Sequence, residues 1–260
     1  MRISKLFVLV LLAGFNVAFA QSNFTLSVGG ALPLGDYAEG TGNSKTGVTK
    51  WELWGKSKGK GGAGMGVRLG LQEKIGIPSV DGLGITISVD AFFNGLNSDL
   101  KDFFSDMESS EDDYDDYDDY YKAASDEEVS ITKPYYLNIA PMLGVNYEYD
   151  ISESFGLFAG MGLGANFRKI TNYVVEYSYG DGVVESTMKY DLGISFAFKV
   201  GIGAVVMDKV VIGLDFFSLG SSQVKGKETD VYDDEEDDSE KFKYGKVNPK
   251  FFTFSLGFRF

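Results

Sequence analysis

The 260-residue sequence contains no cysteine and no histidine. The first absence removes disulfides and thiolate chemistry. The second removes imidazole metal sites, Ser-His-Asp and Cys-His catalysis and histidine proton transfer. Proline is scarce, at 5 residues. Beyond the first twenty positions no apolar run approaches the ~18 residues a spanning helix requires, which excludes a helical membrane protein. Positive charge is also short: 24 Lys and Arg face 38 Asp and Glu, a formal net charge of −14. An acidic chain of this kind repels nucleic acid phosphates, so no nucleic acid partner is expected.

What the sequence has instead is 33 Gly, 21 Phe and 15 Tyr, a composition that favours an all-β chain. The first twenty residues have the parts of a cleaved secretory signal: Arg2 and Lys5, an apolar core from Leu6 to Gly14, and Ala18-Phe19-Ala20 before Gln21. Removing Arg2 and Lys5 with it takes the charge from −14 to −16. Residues 21–260 are expected to form one domain.

Within that domain, strand-like alternation recurs eight times. Apolar side chains alternate with small or polar ones over Phe24–Leu34, Ala63–Leu71, Leu83–Ala91 and Tyr135–Tyr149. The same holds over Phe155–Phe167, Tyr190–Ile202, Val210–Phe216 and Phe252–Phe260. One face is bulky and aromatic, while the other is mostly Gly, Ala, Ser and Thr with a few charges. A soluble sandwich would place many Lys and Glu on its polar face. Small and polar residues suit the crowded lumen of a narrow barrel, and bulky apolar ones suit an exterior facing lipid.

Connections alternate in length as well. Residues 36–61, 94–133, 170–188 and 221–247 are long, whereas 73–82, 150–154 and 207–209 are short. Transmembrane barrels alternate long extracellular loops with short periplasmic turns in this way, which would put both termini in the periplasm. Tyr135 and Tyr147 are twelve residues apart. At ~3.3 Å per residue and a tilt of about 40–45° they would be separated by roughly 29 Å along the membrane normal, the spacing of two aromatic girdles. The expected fold is therefore all-β, an eight-stranded antiparallel up-and-down transmembrane β-barrel with long extracellular loops.

The opening Leu26-Ser27-Val28-Gly29-Gly30-Ala31-Leu32-Pro33-Leu34-Gly35-Asp36-Tyr37 and the closing alternation Phe252 to Phe260 carry a resemblance. The chain resembles the small OmpA/OmpX-type outer-membrane β-barrels of the broad porin-family group. That resemblance implies residence in the bacterial outer membrane and the lipid bilayer as partner. It also makes the carboxyl-terminal strand ending on Phe260 a signal for the barrel-insertion machinery. It implies little about role, because such barrels serve as adhesins, structural proteins or small pores.

Acid is concentrated in the loops. Residues 94–133 hold fourteen Asp and Glu against three Lys, and 221–247 hold nine against five. By contrast 36–61 hold five Lys against three acids, with Trp51 and Trp54. Asp112, Asp113, Asp115, Asp116, Asp118, Asp119, Asp233, Asp234, Glu235 and Glu236 are weak divalent-cation candidates, since hard cations take carboxylate oxygens. The Asp-Tyr run lacks the Gly and Glu of an EF-hand loop. Inside the barrel, the alternation places Arg68, Asp90, Glu148, Arg168, Asp191, Lys199, Asp215 and Arg259 in the lumen, where they are expected to pair. Consecutive strands are neighbours, which makes Asp215 the expected partner of Arg259. The strand glycines of 160–164 and 201–203 recur at period two with no helix following, so they imply no dinucleotide, and no cofactor is expected.

These readings favour a monomeric, non-enzymatic barrel displaying acidic loops for surface interaction, adhesion or envelope integrity, with an extracellular ligand or surface partner at the loops. The alternatives are a small passive pore, an outer-membrane lipid-modifying enzyme and a soluble periplasmic lipid-binding barrel.

Overall fold

The computed structural model describes residues 22–39, 63–96, 130–132, 134–179, 182–232 and 235–260. The signal segment and most of 36–61 and 94–133 lie outside them. Eight strands close into one barrel: β1 (Ser22–Pro33), β2 (Ala63–Gly76), β3 (Leu83–Leu96), β5 (Tyr135–Ser152), β6 (Phe155–Ile170), β9 (Gly193–Val206), β10 (Val210–Ser218) and β13 (Lys250–Arg259). Each pairs antiparallel with the barrel strands before and after it, and β1 closes on β13 with Thr25 opposite Arg259 and Leu32 opposite Phe252. This is an up-and-down meander with no free edge.

Three short turns, the start of β1 and the end of β13 share one end, here the turn end. The β2–β3 turn spans 77–82, the β5–β6 turn 153–154, and the β9–β10 turn 207–209. In the last, Met207 and Asp208 have φ of 53° and 56°, and Lys209 N donates to Val206 O, the geometry of a type I′ turn that suits strand twist. At the same end Phe260 N donates to Phe24 O, tying the last residue to the first strand.

The two faces of the wall differ as the alternation requires. Outward side chains such as Met65, Ile87, Leu143, Leu163, Phe196 and Phe254 are exposed, as are Tyr135 and Tyr147 at the two heights of β5. Inward ones are polar and buried: Thr25, Thr86, Ser88, Asn146, Thr253 and Ser255. An exterior this apolar over a polar interior inverts the soluble arrangement. Glycines let the lumen close tightly: a Cβ on Gly70 would meet Ser27 Oγ at 2.6 Å and Arg68 Nη2 at 2.9 Å, and one on Gly201 would collide with the Asp215 carboxylate.

The opposite end, the loop end, departs from a simple barrel. The stretches 170–188 and 221–247, expected as loops, are largely strand. β4 (Ser130–Thr132), β7 (Tyr173–Tyr179), β8 (Gly182–Tyr190), β11 (Ser222–Tyr232) and β12 (Glu235–Val247) form a second, five-stranded sheet in the order β12-β11-β8-β7-β4. That order repeats β13-β10-β9-β6-β5 of the barrel, so five barrel strands continue past the rim after short breaks. Pro134 and Pro249 lie in two of the breaks, where a residue without an N–H cannot carry the ladder through, and Gly220 turns a third at φ 67°. The sequence hides these strands because neither face of the rim sheet is consistently apolar. On the other side of the mouth β1 ends at Pro33, and Gly35 (φ 60°) turns the chain into a single helical turn, α1 (Asp36–Glu39).

Candidate functional site

The lumen is built in three layers. Nearest the turn end, Glu148 of β5 accepts from Arg259 at both oxygens, Nη1 to Oε1 at 2.9 Å and Nη2 to Oε2 at 3.0 Å. Lys74 of β2 reaches the same Oε2 at 3.0 Å and also donates to Gly82 O. One carboxylate thus holds strands from three parts of the wall.

In the middle layer Arg68 of β2 bridges two carboxylates. Its Nε donates to Asp90 Oδ1 at 2.7 Å and its Nη1 to Asp215 Oδ2 at 3.1 Å. Lys199 of β9 lies 3.5 Å from Asp90 Oδ2 and the same distance from Gln72 Oε1. Two positive and two negative groups balance here, and Asp90 is fully buried. Such a cluster is held by its geometry, since each charge left water and needs every partner it has. A small void beside it is lined by Gln72, Thr86, Ser88, Asn146, Lys199 and Asp215 together with Val145, Phe158 and Met161.

Above the charges, aromatic rings fill the lumen. Phe92 stacks on Phe251 at 4.6 Å between centroids and meets Phe217 edge-on at 4.9 Å. The Arg68 guanidinium sits 5.0 Å from the Phe217 ring centre, coupling this layer to the charged one. From α1, Tyr37 drops its ring between Tyr136 and Phe251, at 5.5 and 5.4 Å. Burial pushes the Tyr37 hydroxyl's pKa well above its ordinary value. Arg168 caps the assembly, donating to Val247 O at 3.1 Å and Ser222 O at 3.2 Å, which straps the rim sheet to the barrel. Tyr37, Phe92, Phe217 and Phe251 are not among the site residues expected from the sequence. The signal for three of the lumen rings and for Tyr136 is the aromatic doublets Phe92-Phe93, Tyr135-Tyr136, Phe216-Phe217 and Phe251-Phe252: in a period-two strand one ring of each must point inward.

Of the eight residues expected in the lumen, the structure brings Arg68, Asp90, Lys199 and Asp215 together and joins Arg259 to Glu148. Arg168 is also inside, against carbonyls and tyrosines rather than a carboxylate. Asp191 is not inside. It lies in the break between β8 and β9, its side chain 60 % exposed and 4.0 Å from Lys225, because the break interrupts the alternation that would place it inward. The Arg259–Asp215 pairing is also corrected. Asp215 stands opposite Thr253 on β13, six residues before Arg259, a gap of roughly 20 Å at ~3.3 Å per residue. Lys74 escapes the sequence reading, as it lies beyond the alternating run of its strand.

A closed wall that is bulky and apolar outside, charged and hydrogen-bonded inside, decides the architecture. The fold is that of a small outer-membrane β-barrel. No protein-family model matches the chain, and no curated protein matches it. Solved outer-membrane barrels align over most of its length. A major outer membrane protein from Thermus thermophilus has 11% identity and a TM-score of 0.48, with 92% of this chain and 99% of that one covered. The attachment invasion locus protein Ail of Yersinia pestis has 11% identity and a TM-score of 0.39, covering 93% and 100%. OprG from Pseudomonas aeruginosa has 13% identity and a TM-score of 0.42, covering 92% and 96%. The outer-membrane barrel reading of this chain rests on its own wall and lumen.

The cation candidates Asp112, Asp113, Asp115, Asp116, Asp118, Asp119, Asp233 and Asp234 lie outside the described residues. Glu235 and Glu236 stand in β12, opposite Tyr232 and Val231. Among the described residues no cluster of three or more Asp and Glu is placed to hold a metal ion. Phe260 lies at the turn end, its ring 5.0 Å from Phe258 and 6.3 Å from Phe24.

Proposed function

We propose that the chain is a monomeric, non-enzymatic barrel of the bacterial outer membrane that presents its loop end to the outside for surface interaction or envelope integrity. The observation that carries this reading is the filled lumen. Three layers of side chains cross it, so the barrel serves as an anchor while the rim sheet and the acidic stretches form the presented surface. The termini and short turns then face the periplasm, and the strand ending on Phe260 is the segment read by the insertion machinery. The charged residues brought together inside, Arg68 with Asp90, Asp215 and Lys199 and Arg259 with Glu148 and Lys74, are paired with one another, which favours a structural role for them over a catalytic one.

The small void beside the Lys199 and Asp215 charges favours a second reading, a narrow passive pore. Planar-bilayer recording separates the two. The anchor gives current at background in the wild type and in Tyr37→Ala, whereas a steady, charge-selective current in the wild type overturns it. Protease added to intact cells tests the orientation. Cleavage within 94–133 or 221–247 with the wall protected is the expected result, and cleavage only after the outer membrane is opened reverses the topology.

A further inference from the structure

The outer face of the rim sheet continues the apolar exterior of the barrel wall, and the chemistry changes abruptly at the junction. Outward apolar side chains run up to Leu192, Phe216 and Phe252 and then stop. Above them, past Asp191, Ser218 and Gln223, outward positions carry lysines: Lys189 in β8, Lys225 in β11, Lys246 and Lys241 in β12, and Lys250 at the start of β13. The first four are exposed, and Lys250 is half-buried. Register places Lys189 opposite Lys227 and Lys227 opposite Lys241, so three adjacent strands carry a lysine in one row on one face. Within this band Asp191 lies 4.0 Å from Lys225.

The band is one-sided in two directions. At the same height on β1, β2 and β3, the described residues 32–35, 63–67 and 92–96 include no charged side chain. At the turn end, exposed Asp81, Asp150, Glu153 and Asp208 outnumber Lys209. Among the described residues, five of the six exposed lysines, Lys189, Lys225, Lys227, Lys241 and Lys246, thus lie where the apolar wall meets water at the loop end, and the sixth is Lys209.

We propose that this lysine band seats the phosphate groups of anionic lipids in the leaflet at the loop end. Two observations favour lipid over other anions. The band is continuous with the apolar wall, so headgroups of lipids lying along β9, β10 and β13 come level with it. The lysine stems can lie along that wall with their ammonium groups raised to the phosphates. The inference rests on the membrane reading above and goes beyond it by giving one wall a lipid preference.

The test uses the mature chain in phosphatidylcholine bilayers with trace spin-labelled phosphatidylglycerol or phosphatidylcholine. Electron paramagnetic resonance reports the lipid immobilised at the wall. Both labels should show an immobilised fraction, with phosphatidylglycerol favoured about threefold at low salt and the preference shrinking at about 0.5 M NaCl. In K189Q/K225Q/K246Q/K250Q the preference should fall to near one while the immobilised fraction stays. The four matching Lys→Arg changes should retain it, which controls for misfolding. Inorganic phosphate should act no more strongly than chloride at equal ionic strength. Immobilised lipid without a preference, a preference that survives the glutamine changes, or specific competition by inorganic phosphate would overturn the band. Absence of immobilised lipid of either kind overturns the membrane reading itself.

Discussion

The two halves of the lumen solve the same packing problem with different chemistry. Toward the turn end, where strands of an eight-stranded barrel converge on polar residues, the space is closed by Arg68, Asp90, Asp215, Lys199 and the Glu148 pair. Toward the loop end it is closed by Phe92, Phe217, Phe251, Tyr136 and Tyr37. Charges fill space only in sets, because each member depends on partners carried by distant strands. Rings fill it by volume, and each loss leaves a local hole. The charged half should therefore fail collectively and the aromatic half piecemeal.

The sharpest way to break that contrast is Arg68→Ala, which strands Asp90 and Asp215 in the interior. Removing one partner from a buried ion set costs on the order of 3–5 kcal/mol, and here two carboxylates lose their bridge. Urea unfolding in detergent should show the largest drop in midpoint of any single change. Phe92→Ala should come next, about 3 kcal/mol from lost burial and the cavity left behind. Its effect should stay local, so protection of the turn-end strands in hydrogen exchange should survive. Equal and global loss in both variants would erase the distinction between the halves.

A double-mutant cycle sharpens it further. Arg259→Ala with Glu148→Gln should show a coupling of about 1–2 kcal/mol, and Arg259→Ala with Asp215→Asn a coupling near zero. The reverse ranking would mean that β13 is shifted relative to β10. In the rim sheet, burial pushes the Tyr173 hydroxyl up to about 12, from an ordinary value of 10.0. A raised folded-state value means the neutral hydroxyl's contribution is complete below pH 10 and is lost as pH rises from 10 toward 12. Exchange protection of β7 and β8 should decline across that window and be flatter in Tyr173→Phe. Smallest of all should be Asp191→Ala or Lys225→Ala. Their pair is exposed at 4.0 Å and each change should stay within about 0.5 kcal/mol.

The wall is legible in the sequence because lipid and lumen impose opposite demands on successive residues, and period two records them directly. Arg68, Asp90 and Lys199 are legible as inward charges for the same reason. Their partners are not. A closed barrel brings β2 against β10 and β5 against β13 across the lumen, over separations of 147 residues for Arg68–Asp215 and 111 for Arg259–Glu148. Those contacts depend on the stagger of the whole barrel, which no local pattern encodes. The rim sheet is obscured for another reason. Its strands are rich in Lys, Glu, Asp and Thr on one face, and in the sequence such stretches look like solvated loop.

Five of the eight barrel strands, β5, β6, β9, β10 and β13, carry on past the rim as the described rim sheet, so this part of the molecule has a bearing as well as a top and bottom. Seen along the membrane normal, the sheet stands as a parapet over one arc of the wall, with Tyr37 of α1 set into the mouth between Tyr136 and Phe251. A partner gripping that parapet would fix the barrel's compass direction in the plane of the membrane.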